Sequence, residues 1–124
     1  MEFKERKSIY LQIADIILER IIRGIWEEGQ RISSIRETAI EMQVNPNTVV
    51  RSYNYLQSQG IIHNQRGIGY FISVGAVVRA LKIKREEFIS NKLPEIFREM
   101  ELLKIPIGEI ERLYLDYTGK KETS

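Results

Sequence analysis

Residues 34–60 read SIRETAIEMQVNPNTVVRSYNYLQSQG, and this stretch decides the fold. Ser34 followed by Glu37 is a capping-box pair, in which the serine oxygen accepts from the backbone three residues on and the glutamate reaches back. The spacing predicts a helix from there to about Met42, burying Ile35, Ala39 and Met42. Val44-Asn45-Pro46-Asn47-Thr48 then reads as a tight turn and a new start. Asn45 is a good cap, and Pro46 suits the first helical position, where its missing N–H was unpaired anyway. This next helix is predicted to run to about Gln59 and to end at Gly60. Two helices joined by so short a turn form a helix-turn-helix.

Upstream, Ser8 precedes an apolar series at helical spacing, Ile9, Ile13, Ile16, Ile17 and Ile21, with a second stripe of Leu11, Leu18, Ile22 and Ile25. Gly24 is placed to end that helix. Two apolar faces imply cover on two sides, one by the helix-turn-helix and the other by the C-terminal tail or a second subunit. Trp26 to Ile32 reads as a short linker. Downstream of Gly60, Ile61-Ile62-His63 and Tyr70-Phe71-Ile72 are short β-prone runs around a turn-rich tip, Asn64 to Gly69. A hairpin directly behind a helix-turn-helix is a wing.

From Gly75 onward helical spacing returns. Pro94 is expected to kink or break the run near residues 91–93. Ile105-Pro106-Ile107-Gly108 reads as a connection, a last helix carries Ile110, Leu113 and Tyr114, and residues 118–124 are expected to fray. The fold class is therefore mainly α with a small β-hairpin: a winged helix-turn-helix over residues 1–75, followed by a helical dimerisation tail over 76–124. That tail carries Leu81, Phe88, Ile89, Leu93, Ile96, Phe97, Met100, Leu103, Leu113 and Tyr114, more apolar surface than a solitary pair of helices buries. Packing on the first helix and on the tail of a second copy would cover it, which makes the expected assembly a homodimer.

The 124-residue chain has room for one ordinary domain, or a small domain and an appendage. Its hydrophobic fraction of 43% supports a core. There is no cysteine, which excludes disulfides and thiolate metal sites. Met1 to Lys7 holds no apolar run fit for a leader, and no segment approaches the ~20 apolar residues of a membrane span. A soluble, cytoplasmic protein without membrane contact is expected.

Net charge is only +2, but its distribution is uneven. Residues 42–85 carry Arg51, Arg66, Arg79, Lys82, Lys84 and Arg85 and no Asp or Glu. Local sign sets the field that a phosphate backbone meets. At roughly 100° per residue, Val49, Tyr53 and Leu56 form the core face of the helix after Pro46. Opposite them fall Asn47, Arg51, Asn54 and Ser58, with Thr48 flanking and Val50 to one side. Solvated faces usually mix Glu with Lys. A face of amides, hydroxyls and arginine suits base edges and phosphates of duplex DNA. The hairpin tip adds Gln65, Arg66 and Gly67, and one arginine on a narrow tip suits a minor groove.

Enzymatic chemistry finds no place. His63 is the sole histidine, no nucleophile–base–acid set assembles, and neither a phosphate-loop pattern nor metal-ligand spacing is present. No cofactor is expected. A winged helix can also serve as a protein-interaction module without a DNA role, against which the acid-free window argues.

Read in order, Ser8-Ile9-Tyr10-Leu11-Gln12-Ile13, Gly24-Ile25-Trp26, Gly29, Ser34-Ile35-Arg36-Glu37, Val44-Asn45-Pro46-Asn47-Thr48-Val49, Arg51, Tyr53, Leu56, Gly60-Ile61-Ile62 and Gly67-Ile68-Gly69-Tyr70-Phe71 resemble the GntR family of bacterial regulators. The short tail resembles its YtrA-like subfamily. That resemblance implies a dimeric repressor of a palindromic operator, often one serving transporter genes, with any effector unknown. Carried over by position, it places DNA contacts on Ser34 and Arg36, on Asn45, Asn47, Thr48 and Arg51, and on the wing at Gln65, Arg66 and Gly67. One departure is Ser33, where the family usually has proline; Ser34 and Arg36 remain.

Overall fold

The computed structural model describes residues 7–123, with side chains to Lys120. Residues 1–6, where the sequence offered no leader, and Ser124 lie outside the described residues. Three helices come first: α1 (Ile9–Ile22), α2 (Ile35–Met42) and α3 (Pro46–Ser58). The hairpin β1 (Ile62–Gln65) and β2 (Gly69–Ile72) follows, then α4 (Ala76–Glu87). A π-helical segment, Phe88–Lys92, leads into α5 (Leu93–Leu103), and α6 spans Ile107–Thr123. The chain divides into two compact units, parting between Lys84 and Arg85.

In the first unit, Ile13, Ala14, Ile17, Leu18 and Ile21 of α1 pack with Ala39, Val49, Tyr53, Leu56, Ile61, Ile62 and Ile72. Of the first expected stripe, Ile13, Ile17 and Ile21 thus reach the core, while Ile9 and Ile16 are exposed; of the second, Leu18 is buried. The buried face of α1 is centred between Ala14, Ile17 and Ile21, and at 100° per residue Ile9 and Ile16 stand about 110–130° away from that centre. Ile25, past the helix end, is also exposed, while Leu11 and Ile22 are half-buried. α1 ends as expected: Gly24 takes φ +77°, and Ile25 N–H returns to the Arg20 carbonyl at 2.9 Å. Ser8 stands at the cap position, but its side chain makes no cap bond.

The linker after α1 does more than connect. Ile32 N–H donates to the Tyr70 carbonyl (2.9 Å), and Ile72 N–H to the Gln30 carbonyl (2.9 Å). Residues 29–32 thus run beside β2, with Arg31 bridged antiparallel to Phe71. On α2, Thr38 and Ala39 are buried while Ile35 and Met42 are half-buried. The turn into α3 is made by Gln43 in the left-handed region (φ +55°), with Val44 N–H bonded to the Ala39 carbonyl at 3.0 Å.

Tyr53 ties these parts together. Its hydroxyl lies 2.8 Å from Thr38 Oγ1 and donates to the Ser33 carbonyl at 2.7 Å, and its ring meets Tyr70 edge-on at 4.8 Å. Burial pushes the phenol pKa up, so it remains a donor. Tyr53→Phe should therefore lower stability by about 1–3 kcal/mol by leaving buried partners unpaired, read by chemical denaturation. A change within error would show that water replaces the hydroxyl.

The first unit extends nine residues past the boundary expected at residue 75, because Ala76 and Ala80 are fully buried in its core. In the second unit, the helical assignment runs unbroken into Pro94. Pro94 stands in the first turn of α5, and the preceding turn widens to the π form. Such widening accommodates a residue that supplies no N–H and crowds the carbonyl four residues back. α5 stops at Lys104, left-handed at φ +57°. The final helix starts at Ile107, inside the expected connection, and continues to Thr123 instead of fraying from 118. Among the described side chains from Arg85 to Lys120, none is buried.

Candidate nucleic-acid interface

Three parts of the first unit present the candidate residues. At the start of α2 the capping box is complete: Glu37 N–H donates to Ser34 Oγ (3.1 Å), and Ser34 N–H donates to Glu37 Oε1 (3.2 Å). These bonds to Ser34, backbone first, hold the Glu37 carboxyl below its ordinary pKa, with Arg31 adding to the effect. Ser34 is half-buried and occupied by the cap, whereas Arg36 is exposed and has no ion-pair partner among the described residues.

On α3, Asn45 Oδ1 accepts from Asn47 N–H at 2.8 Å, so Asn45 works first as a cap. Asn47 and Arg51 are exposed and Thr48 is half-buried, while Val49, Ser52, Tyr53 and Leu56 face the core. Asn54 accepts from Gln57 (3.5 Å), and Ser58 Oγ donates to the Tyr55 carbonyl (2.6 Å). The outward face therefore narrows to Asn47, Thr48 and Arg51, with Val50 at its margin. The Arg51 guanidinium lies 4.2 Å from the centre of the Tyr10 ring. Tyr10 in turn receives Ser52 Oγ on its carbonyl at 2.7 Å. A cation held over an aromatic ring loses less freedom on meeting a ligand. Tyr10 was absent from the sequence-predicted site, although it stood in the stretch carrying the family resemblance.

The wing pairs Ile62 with Ile72, His63 with Phe71, Asn64 with Tyr70 and Gln65 with Gly69. Ile62 and Ile72 anchor its base, and Gln65, Arg66 and Gly67 are exposed. Ile68 N–H closes the tip on the Gln65 carbonyl at 2.9 Å. Gln65 Nε2 stands 3.3 Å from His63 Nε2, the other ring nitrogen is 3.0 Å from Ser73 Oγ, and the ring stacks on Phe71.

Arg31 was missed because its segment read as a linker. Its guanidinium lies across Gly69, where a Cβ would come within 2.9 Å of Nε. From the segment before α2, Arg31 thus reaches the tip end of the wing, where Gly69 pairs with Gln65. Beneath the candidate residues, the Thr38–Tyr53 hydrogen bond joins α2 to α3, and the common core holds the wing beside them. The acid-free window contributes less than its sequence promised. Arg79 is turned onto backbone carbonyls, and Lys84 lies 3.5 Å from Asp15.

Among the described residues, no three His, Asp or Glu side chains cluster as a metal site. No helix there is long and apolar enough to cross a membrane. An open depression of about 210 Å³ lies against Ile16, Glu19, Arg20, Arg23 and Ile25, below the roughly 300–1,000 Å³ usual for small-molecule sites.

The family model for bacterial regulatory proteins of the gntR family matches residues 9–72. The HTH-type transcriptional regulator YhcF of Bacillus subtilis is 38% identical over 104 residues, covering 83% of this chain and 86% of its own. The HTH-type transcriptional repressor YtrA of the same organism is 41% identical over 68 residues, 55% of this chain and 52% of its own length. A crystal structure of a GntR-family regulator from Bacteroides thetaiotaomicron superposes with a TM-score of 0.76 at 44% identity, covering 92% of this chain and 99% of that one. These likenesses extend through the wing that the geometry had delimited. The chain belongs to the GntR family of bacterial regulatory proteins, a family of transcription regulators and not of enzymes.

Proposed function

We propose that this regulator is a cytoplasmic, dimeric repressor that reads a palindromic operator. The observation that carries the proposal is the outward face of α3, where Asn47 and Arg51 stand exposed with no acid between Met42 and Arg85. In this reading α3 enters the major groove. Asn47 pairs with a base edge, Arg51 takes guanine or phosphate, and Ser34, Arg36 and Thr48 fix the register on the backbone. Gln65, Arg66 and Gly67 follow the neighbouring minor groove. Asn45 supports this surface as the cap of α3.

One such helix reads only a few base pairs, so specific binding requires two copies in register. The second unit supports that role: Phe88, Ile89, Phe97, Leu113 and Tyr114 are exposed, Leu93, Ile96 and Met100 are half-buried, and its described side chains form no buried core. Leu81 of α4 is exposed as well. Of the two functional parts, the DNA-binding one accordingly runs to Lys84 and the dimerising one begins at Arg85. Similarity to a repressor of Bacillus subtilis favours repression, and the resemblance to the YtrA-like subfamily favours transporter genes as targets.

The test is a salt titration with an operator selected by the full-length protein. Arg36, Arg51 and Arg66 in two subunits should give a log–log slope of about −5, at about 0.9 per phosphate contact. Arg66→Ala should weaken binding to all sequences and reduce that slope by nearly two. A slope near zero, or an α3 variant that binds unchanged, would leave the protein-interaction reading in its place.

A further inference from the structure

The junction between wing and α4 is tied on three sides. Glu28, four residues past Gly24, accepts from Gly75 N–H on Oε1 (2.8 Å) and from Val77 N–H on Oε2 (3.1 Å). One carboxylate from the segment after α1 therefore caps α4. The Gly75 bond, then the Val77 bond, hold that carboxyl below its ordinary pKa, and Arg79 adds to the effect. One turn along α4, Arg79 Nη1 donates to the carbonyls of Gly60 (3.1 Å) and Val74 (2.8 Å).

Gly60 closes α3, and Gly75 precedes α4. A Cβ on Gly60 would stand 3.2 Å from Arg79 Cδ, and one on Gly75 would stand 3.0 Å from Nη1. Both glycines have left-handed φ, +72° and +86°. The arginine thus lies between two stretches of backbone that only glycine leaves open at these conformations. Ala76 and Ala80 seal the same turn into the core. α3, the end of β2 and the first turns of α4 are joined by one acid and one base.

We propose that Glu28 and Arg79 are positioning residues that fix the angle between α3 and α4, and so set the half-site spacing this regulator accepts. The inference rests on the dimeric reading above. α3 presents each half-site contact, while α4 continues along the chain into the unit that joins two copies. Adding one base pair between half-sites turns one of them by about 34–36° around the duplex. A fixed α3–α4 angle does not absorb that rotation, whereas a hinged one does.

The experiment takes full-length protein and an operator selected from a random duplex pool. The distance between half-sites is then varied from two base pairs fewer to two more. For the wild type, a change of two base pairs, about 70° of rotation, should weaken binding about tenfold or more. Arg79→Lys and Glu28→Gln should flatten that profile to within about threefold and leave the affinity for an isolated half-site within about twofold, since neither touches the DNA face. Arg79→Lys keeps its charge, so a phosphate-contact role would instead leave binding at every spacing nearly unchanged. Hydrogen exchange on the wild type gives a readout that needs no variant: the Gly75 and Val77 amides should be protected like those of α3, and exchange at loop rates would overturn the inference. If the wild type discriminates spacing and a folded variant keeps that profile, the inference falls and the dimeric reading stands. If the wild type shows no spacing preference, both fall.

Discussion

Ending the chain after Lys84 should leave a folded monomer whose specific operator affinity has fallen about a thousandfold or more, toward the level of non-specific binding. The site of the cut matters. A chain ending at Gly75 would lose Ala76 and Ala80 from the core, together with the Val77 amide that Glu28 caps and the Arg79 strut. Its failure to bind would then reflect unfolding. Ending at Lys84 keeps all of these and removes the unit whose described side chains bury nothing. Phe97 is 49% exposed, Leu103 64% and Tyr114 63%. Soluble monomers seldom leave such side chains grouped on one surface, and a two-fold partner is the usual cover. Sedimentation at micromolar concentration, a thermal melt and operator binding should separate the two chains. A full-length protein that sediments as a monomer, or a shortened one that binds equally well, would refute the assignment.

The sequence made the helix-turn-helix legible because its punctuation is local. Ser34 with Glu37, Asn45 with Pro46, and Gly60 each act within one turn of themselves, and each takes its expected place. The tight turn itself carries no glycine. Gln43 adopts the left-handed conformation there, and only the next helix's cap revealed the turn. What escaped depended on distant parts of the chain. The linker's pairing with β2 satisfies backbone groups across some forty residues, and no periodicity records such a partner. α1 misled because isoleucines surround it: composition marks an apolar residue, but the position of the neighbours decides which side is covered.

Charge shows the same division. The window from Met42 to Arg85 does lack acids, yet counting its cations overstated what faces outward. Arg79 is directed at two carbonyls, and Lys84 lies close to Asp15, which also holds Lys7 at 2.6 Å. Meanwhile Arg31, outside the window, lies exposed along the wing. The candidate surface is a matter of direction, and helical periodicity supplied direction for α3 alone. There Asn47 and Arg51 came out on the side opposite Tyr53, as the structure places them. In the second unit, Pro94 announced an irregularity but not its form, because a widened turn and a break begin from the same missing N–H.

Asn47→Ala and Arg51→Ala should produce the largest losses available from single side chains on the proposed DNA face, and losses of different kinds. A well-made contact to a base edge discriminates by about 1–3 kcal/mol, and a symmetric dimer loses it twice, so each variant should weaken the preferred operator by about 30-fold to 10⁴-fold. Asn47 carries no charge. Its loss should leave the salt dependence unchanged and make binding indifferent to the base it reads. Arg51 carries a charge that is poised over Tyr10, so Arg51→Ala should also reduce the salt slope by nearly two if the guanidinium reaches phosphate. Arg51→Lys separates the alternatives: it restores the slope for a phosphate contact but not the affinity for a bidentate contact to guanine. The two side chains are one helical turn apart, so the double variant need not equal the sum, and the difference measures their coupling. A selected operator whose base preference survives Asn47→Ala would remove α3 as the reader of sequence, whatever the wing contributes.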